Sequence, residues 1–195
     1  MISLIDYGAG NTASVANVLI DLKCEFKITK NEHEICNSEK IIFPGVGEAS
    51  FAIRHLHMTN LFTMLRVVKK PILGICLGMQ LLCDKSKEGN VHGLGIFPYS
   101  TEKFDESKIK VPHMGWNQVS YAKTSKLFDD IKDGEFFYFA HSFYVPNNKH
   151  STSVCNYDVE FCASIEKDNY FGVQFHPEKS GPAGSQLIKN FIEKC

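Results

Sequence analysis

The run Pro71-Ile72-Leu73-Gly74-Ile75 is wholly apolar and opens directly onto Cys76-Leu77-Gly78 and the amphipathic stretch Met79–Leu82. A short strand without polar alternation belongs in a sheet covered on both faces. The rest of the chain must therefore supply neighbouring strands and two layers of helix, and its first half is patterned to do so. Ile2–Asp6 reads as a strand, followed by the turn Gly8-Ala9-Gly10-Asn11. Thr12 is placed to N-cap a helix through about Leu22, with Val15, Val18, Leu19 and Leu22 on one face. Glu25–Thr29 and Lys40–Phe43 read as the next strands, the latter ended by Pro44-Gly45-Val46-Gly47, and a helical pattern runs from about Ala49 to Val68. Strands and helices alternating at this spacing argue for βαβ units and a mainly parallel sheet. The second half adds strands around Lys110–Val119, Glu135–Tyr144, Thr152–Asn156, Val159–Ile165 and Tyr170–Phe175, then a helix from about Ala183 to Glu193. No linker interrupts this pattern, so residues 1–195 read as a single α/β domain. Its expected form is a mainly parallel central sheet flanked by helices, with extra antiparallel strands in the second half.

At 195 residues the chain is long enough to bury a sizeable core. Its 44% hydrophobic and 22% charged residues are ordinary for a globular protein, which sets disorder aside. Lys+Arg 21 against Asp+Glu 22 leave a formal net charge of −1, so no global basic field exists to hold nucleic acid or an anionic membrane surface. The most apolar stretch, Pro71 to Leu82, contains Gln80 and falls short of the about 20 apolar residues a bilayer requires. The opening MISLIDYGAGN carries no basic leader and meets an acid at Asp6, so it does not read as a signal peptide. Seven cysteines cannot all pair with one another, and none forms Cys-x-x-Cys. Free thiols in a reducing, cytoplasmic setting are the expectation.

Gly74-Ile75-Cys76-Leu77-Gly78 at a strand-to-helix junction is the pattern of a nucleophile elbow. The turn is tight enough that side chains at the glycine positions would clash, and the N–H groups opening the next helix favour a thiolate at Cys76. Taken alone, the pentapeptide is balanced against a buried structural cysteine, since free Cys is among the most buried residues. Cys24, Cys36, Cys83, Cys155, Cys162 and Cys195 lack any such setting and read as structural.

A base and its orienter lie in Gly172-Val173-Gln174-Phe175-His176-Pro177-Glu178. Side chains two apart on extended backbone face the same way, so Glu178 can accept from one ring nitrogen of His176 and leave the other for the thiol proton. Pro177 biases His176 toward that extended conformation. Together these residues form a nucleophile–base–orienter set of Cys-His-Glu type. The other histidines (His33, His55, His57, His92, His113, His141, His150) show no metal-ligand spacing, and no metal or cofactor is implied; His55 and His57 read as solvent-facing. Gln80 lies one helical turn after Cys76 on the same face, where its amide meets either a substrate at the thiol or solvent. Pro44-Gly45-Val46-Gly47 is either a plain loop or a flexible turn whose N–H groups serve an oxyanion.

GICLGMQLL (74–82) with GVQFHPEKS (172–180) resembles the triad-type (class I) glutamine amidotransferases. PGVG (44–47), KVPHMGWN (110–117) and YFAHSFY (138–144) narrow the resemblance to the glutaminase subunits of imidazole glycerol phosphate synthases, and it extends from DYGAGN (6–11) to the C-terminal helix. Departures are confined to GVGEAS, where many relatives have an aromatic residue after the turn, and CDKSKEG, where SEEG is commoner; neither touches the triad. The resemblance implies a class I amidotransferase fold with flavodoxin-like layering. It also implies Cys76 as nucleophile, His176 as acid/base and Glu178 as orienter, with Gly45, Val46 and the Leu77 N–H serving the oxyanion. Gln80, Glu88, His141 and Ser142 match positions that hold glutamine, and Asn11, Met114, Trp116 and Lys179 match positions facing a partner subunit. Core packing is the other reading of Trp116.

The implied activity is hydrolysis of glutamine to glutamate and ammonia, with ammonia passed to a (β/α)8-barrel cyclase subunit in a heterodimer of histidine biosynthesis. DYGAGN lacks a Gly-Lys-Ser phosphate loop, so the phosphorylated substrate belongs to the partner. Competing readings are a paralogous glutaminase feeding a nucleotide-sugar amidotransferase, a cysteine peptidase or small-molecule hydrolase on the same elbow, and a catalytically dead regulatory subunit.

Overall fold

Neighbouring residues of the central strands point into different helix layers, as the unalternating apolar run at 71–75 requires. The computed structural model describes residues 1–195. Its first half places β1 (Ile2–Ile5), α1 (Thr12–Asp21), β2 (Phe26–Thr29), α2 (Glu32–Asn37), β3 (Lys40–Gly45), α3 (Ala49–Met58), α4 (Leu61–Val67), β4 (Ile72–Cys76) and α5 (Leu77–Leu81) in order. There follow β5 (Cys83–Ser86), β6 (Val91–His92), β7 (Phe97–Lys103), β8 (His113–Tyr121), β9 (Phe136–His141), β10 (Phe143–Tyr144), β11 (Ser151–Tyr157), β12 (Val159–Lys167), β13 (Tyr170–Val173) and α6 (Gly181–Lys194). Nine strands form one sheet in the order β2-β1-β3-β4-β13-β12-β11-β8-β9. β2, β1, β3, β4 and β13 run parallel, and the sheet continues antiparallel through β12, β11, β8 and β9.

Leu4, Ile42 and Leu73 pack with Val15 and Leu19 of α1 and Leu187, Ile188 and Phe191 of α6 on one face. Ile5, Ile41 and Ile72, one residue away in each strand, pack with Ile35 of α2, Leu56 of α3, Leu65 of α4 and Met79 of α5 on the other. The period of two along a strand therefore divides the core into two layers.

Three features differ from the sequence expectation. Asn11, not Thr12, caps α1: its side-chain oxygen accepts from Ser14 N at 3.3 Å, the reach a short amide has at that position. The helical stretch expected from 49 to 68 breaks into α3 and α4 at Asn60, whose φ of +60° suits an Asn in left-handed conformation. A second sheet, β10-β7-β5-β6, was not legible in the sequence, because β6 and β10 are two residues each, β5 carries Asp84 and Lys85, and β7 carries Pro98. The strand expected over 135–144 is accordingly two strands in different sheets: His141 pairs with His113 of β8, and Phe143 pairs with Lys103 of β7. Ser142 is the crossing point.

Parallel register sets Cys76 level with Gly45 of β3, and Ile75 level with Val173 of β13. The carboxyl ends of three adjacent strands thus converge. α5 sits directly on them: a β-carbon at Gly78 would lie 2.0 Å from the Phe43 carbonyl oxygen, and one at Gly74 would lie 2.8 Å from the Gly78 carbonyl carbon. The elbow glycines are required by this backbone-on-backbone packing; the left-handed residue of the turn is Cys76 itself, at φ +53°. Gly78→Ala is expected to cost about 1–3 kcal/mol, as overpacking does, read as a lower urea midpoint. An unchanged midpoint would contradict the close approach.

Candidate active site

Cys76 ends β4 and caps α5 in a backbone conformation that non-glycine residues rarely adopt, and its neighbours hold it there. The side chain is buried at the wall of a cavity of about 290 Å³. Val46, Leu77, Gln80, Glu88, His141, Ser142 and His176 line the same cavity, so with Cys76 one site gathers residues drawn from five separate stretches of chain. Met114 and Lys179 also reach it, whereas Gly45, Glu178, Asn11 and Trp116 do not line it.

His176 follows β13 with extended backbone (φ −99°, ψ 93°), as the following proline favours. Its N–H donates to Tyr138 O at 2.8 Å, which ties it to β9. Glu178 is not on extended backbone, contrary to the sequence argument: Pro177 opens a 3-10 turn over Pro177–Lys179, closed by Lys179 N donating to His176 O. The turn brings the carboxylate back onto the ring, and Oε1 meets His176 Nδ1 at 2.8 Å with both side chains buried. Nε2 is left as the nitrogen for the Cys76 sulfur. Burial opposes the imidazolium, but the Cys76 sulfur and the Glu178 carboxylate outweigh it and push His176 up to about 10.

Gln80 does not present free N–H groups to the cavity. Its Nε2 donates to Phe143 O at 2.8 Å and to Gln174 Oε1 at 2.9 Å. Glu88 accepts from Ala49 N at 2.9 Å, supplying from outside the helix the acceptor that the cap residue Glu48 does not provide. Burial raises its pKa. His141 and His113 are neutral, driven by burial down to about 3 and about 4. Their order is fixed by the backbone acceptor at one end: His141 Nδ1 donates to Phe143 O at 2.8 Å, and its Nε2 accepts from His113 Nδ1 at 3.0 Å. His113 Nε2 then accepts from Asn117 at 3.3 Å.

The turn after β3 is oriented away from the sulfur. Val46 N–H donates to Ala9 O at 3.2 Å, although its side chain lines the cavity. Around the mouth Met114, Trp116 and Lys179 are exposed, with Trp116 edge-on to Tyr138 and Lys179 Nζ 5.8 Å from the same ring. Core packing of Trp116 is thereby set aside. Asn11 is occupied in capping α1.

The family model "Glutamine amidotransferase class-I" matches residues 3–195. The chain belongs to the class-I glutamine amidotransferase family. Among curated relatives of this amidotransferase, imidazole glycerol phosphate synthase subunit HisH of Bacteroides fragilis is 45% identical over 194 residues, covering 98% of each chain. The subunit of the same name from Haemophilus influenzae is 42% identical over 193 residues, covering 99% of this chain and 97% of that one. The solved structure of PurLQS from Thermotoga maritima superposes with a TM-score of 0.73 at 18% identity, over 98% of this chain and 96% of that chain. At that identity it speaks for the fold.

Two residues at the amidotransferase site escape sequence reasoning. Gln174 donates from Nε2 to Cys76 Sγ at 3.6 Å; its place two residues before His176, hence on the same side of the strand, was the available signal. Tyr7 packs its buried hydroxyl beneath Gly45 with no hydrogen-bond partner; nothing in the sequence marked it.

The contact of His176 with Glu178 fixes the direction of a titration. Because the folded-state pKa of His176 is raised, its imidazolium persists from neutral pH to about 10 and is lost as the pH rises through that value. Glu178→Gln removes one of the raising charges, so NMR titration of the His176 ring should show a midpoint displaced to lower pH. A midpoint that stays in place would show that the carboxylate does not hold the charge.

Proposed function

We propose that the chain is the glutaminase subunit of an imidazole glycerol phosphate synthase, with Cys76, His176 and Glu178 as its catalytic residues. The observation that carries this reading is a buried Cys-His-Glu set in a chain that matches HisH subunits along nearly their whole length. In the proposed reaction the Cys76 thiolate forms a C–S bond to the side-chain amide carbon of glutamine, and the carbonyl π electrons move to oxygen. Collapse of the tetrahedral adduct breaks the C–N bond, and the leaving nitrogen takes the His176 proton and departs as ammonia. Water, deprotonated by His176, then attacks the thioester carbon; glutamate leaves and the thiolate–imidazolium pair is restored. Glu88, His141, Ser142 and the free Oε1 of Gln80 are assigned to holding glutamine.

The oxyanion needs N–H donors, for which the Leu77 N–H at the start of α5 and the Val46 N–H are assigned. Val46 N–H is bonded to Ala9 O, so the second donor must turn before the site is complete. Gly45 and Gly47, the latter at φ +95° with open space around it, give the segment the freedom to do so. We assign control of that turn to the partner, a (β/α)8-barrel cyclase that receives the ammonia. Met114, Trp116 and Lys179 at the mouth, with Asn11 nearby on the chain's first turn, are assigned to its docking face, which needs roughly 800 Å² per partner. The seven free thiols fit a cytoplasmic setting, and no helix is long and apolar enough to cross a membrane. All of this is expected of residues 1–195 acting as one unit.

The test is glutamate release from glutamine by the purified chain, alone and with the cyclase and its ribonucleotide substrate. Stimulation of about 10²-fold or more is expected, the worth of one oxyanion donor, and none should remain in Cys76→Ala. Equal turnover with and without the cyclase would remove the partner assignment and favour the paralogous pathway. No turnover under either condition would remove the glutaminase.

A further inference from the structure

Cys76 has a polar neighbour that the proposed triad chemistry does not use. Gln174 is fully buried immediately after β13, and the parallel register that sets Val173 beside Ile75 carries it alongside Cys76. Its Nε2 lies 3.6 Å from Sγ, a hydrogen-bonding distance to sulfur. Which end of this amide faces the sulfur follows from the surrounding acceptors. Phe143 O is a backbone carbonyl and only accepts, so the Gln80 atom 2.8 Å from it is the nitrogen. That nitrogen lies 2.9 Å from one end of the Gln174 amide, which must therefore be the oxygen. The N–H end of Gln174 is left pointing at Cys76. The arrangement cannot be reversed without setting two donors, or two acceptors, against each other.

The brace extends further. Phe143 O also accepts from His141 Nδ1, and His141 is held by His113 and Asn117. A reorientation of Gln174 would therefore have to disturb Gln80 as well.

We infer that Gln174 is a positioning residue for the nucleophile: its side-chain N–H, aimed by Gln80, holds the Cys76 sulfur and stabilises its thiolate. An N–H donor favours the anion over the thiol, since a hydrogen bond to a charged acceptor is stronger than one to a neutral acceptor. Gln80 then acts through Gln174 as well as through any contact of its oxygen with substrate. The inference rests on Cys76 being the nucleophile of the proposed function; a simple structural amide pair joining α5 to β13 is the competing account.

The experiment is alkylation of the full-length protein by iodoacetamide across pH, followed by mass spectrometry at the peptide carrying Cys76. Gln174→Met keeps the length and burial of the side chain and removes the donor. The Cys76 alkylation midpoint should rise by about one pH unit, a tenfold loss of thiolate at pH below it. In the cyclase complex kcat for glutamine should fall about tenfold, with KM changed by less than about twofold. Gln80→Met, which removes the brace and leaves the donor, should move the midpoint in the same direction by less, and it decides the question should Gln174→Met fail to fold. An unmoved midpoint in a folded variant overturns the inference in favour of the structural pair. Alkylation requires no turnover, so a wild-type chain that releases no glutamate would count against the proposed function, and an unmoved midpoint in an active chain against Gln174 alone.

Discussion

The seat of α5 on the carbonyl ends of β3 and β4 governs the rest of the site. Gly78 lies so close to Phe43 O that no β-carbon fits between them, and Gly74 leaves room for Gly78 in turn. With the helix pressed onto the strands, the chain must reverse within a single residue. Cys76 is that residue, and its φ of +53° is the consequence. The turn projects the sulfur over the edge of the sheet, where the register of β13 delivers Gln174 and His176. A larger residue at 74 or 78 would lift the helix, relax the turn and withdraw the sulfur from both neighbours. Packing and chemistry are thus specified by the same two glycines.

Charge is concentrated at one point of a site that is otherwise polar and neutral. Burial alone would keep every imidazole here uncharged, and it does so for His113 and His141, which face each other, carbonyl oxygens and amides. His176 differs because a sulfur and a carboxylate both face it. A proton on His141 would meet the cost of burial and then the His176 charge, and both act against it. The neutral pair is therefore suited to shaping the cavity beside the charged His176 without competing for its proton.

Much of this was legible in the sequence for definite reasons. An apolar strand meeting Gly-x-Cys-x-Gly points to a buried parallel sheet and an elbow, and Glu178 two residues after His176 points to a carboxylate on the ring, although a 3-10 turn and not extended backbone brings the two together. The second sheet was not legible, since β5 and β7 take their place from pairing with each other and with the two-residue strands β6 and β10, not from any apolar alternation of their own. Helical spacing puts Gln80 on the face of Cys76, toward either substrate or solvent, but it gives no partners. What claims its N–H is the Phe143 carbonyl, 63 residues away in sequence, which becomes a neighbour because the chain changes sheets at Ser142. Contacts that depend on a crossing of this kind carry no local signal.

That division also locates where the proposed chemistry is unfinished. Cys76, His176, Glu178, Gln80 and Gln174 are buried and mutually bonded, and moving any of them would expose the others to unmet hydrogen bonds in a medium where such losses are costly. The Val46 N–H is different. It is held by one bond to Ala9 O, in a segment whose side chain is part-exposed and whose next residue is a glycine with space around it. Exchanging that acceptor for an oxyanion leaves one carbonyl, Ala9 O, to find another donor at the rim. If ammonia release waits on a partner, as the proposed function has it, the least costly switch is there, at the edge of the cavity, with Cys76, His176 and Glu178 already packed together beneath it.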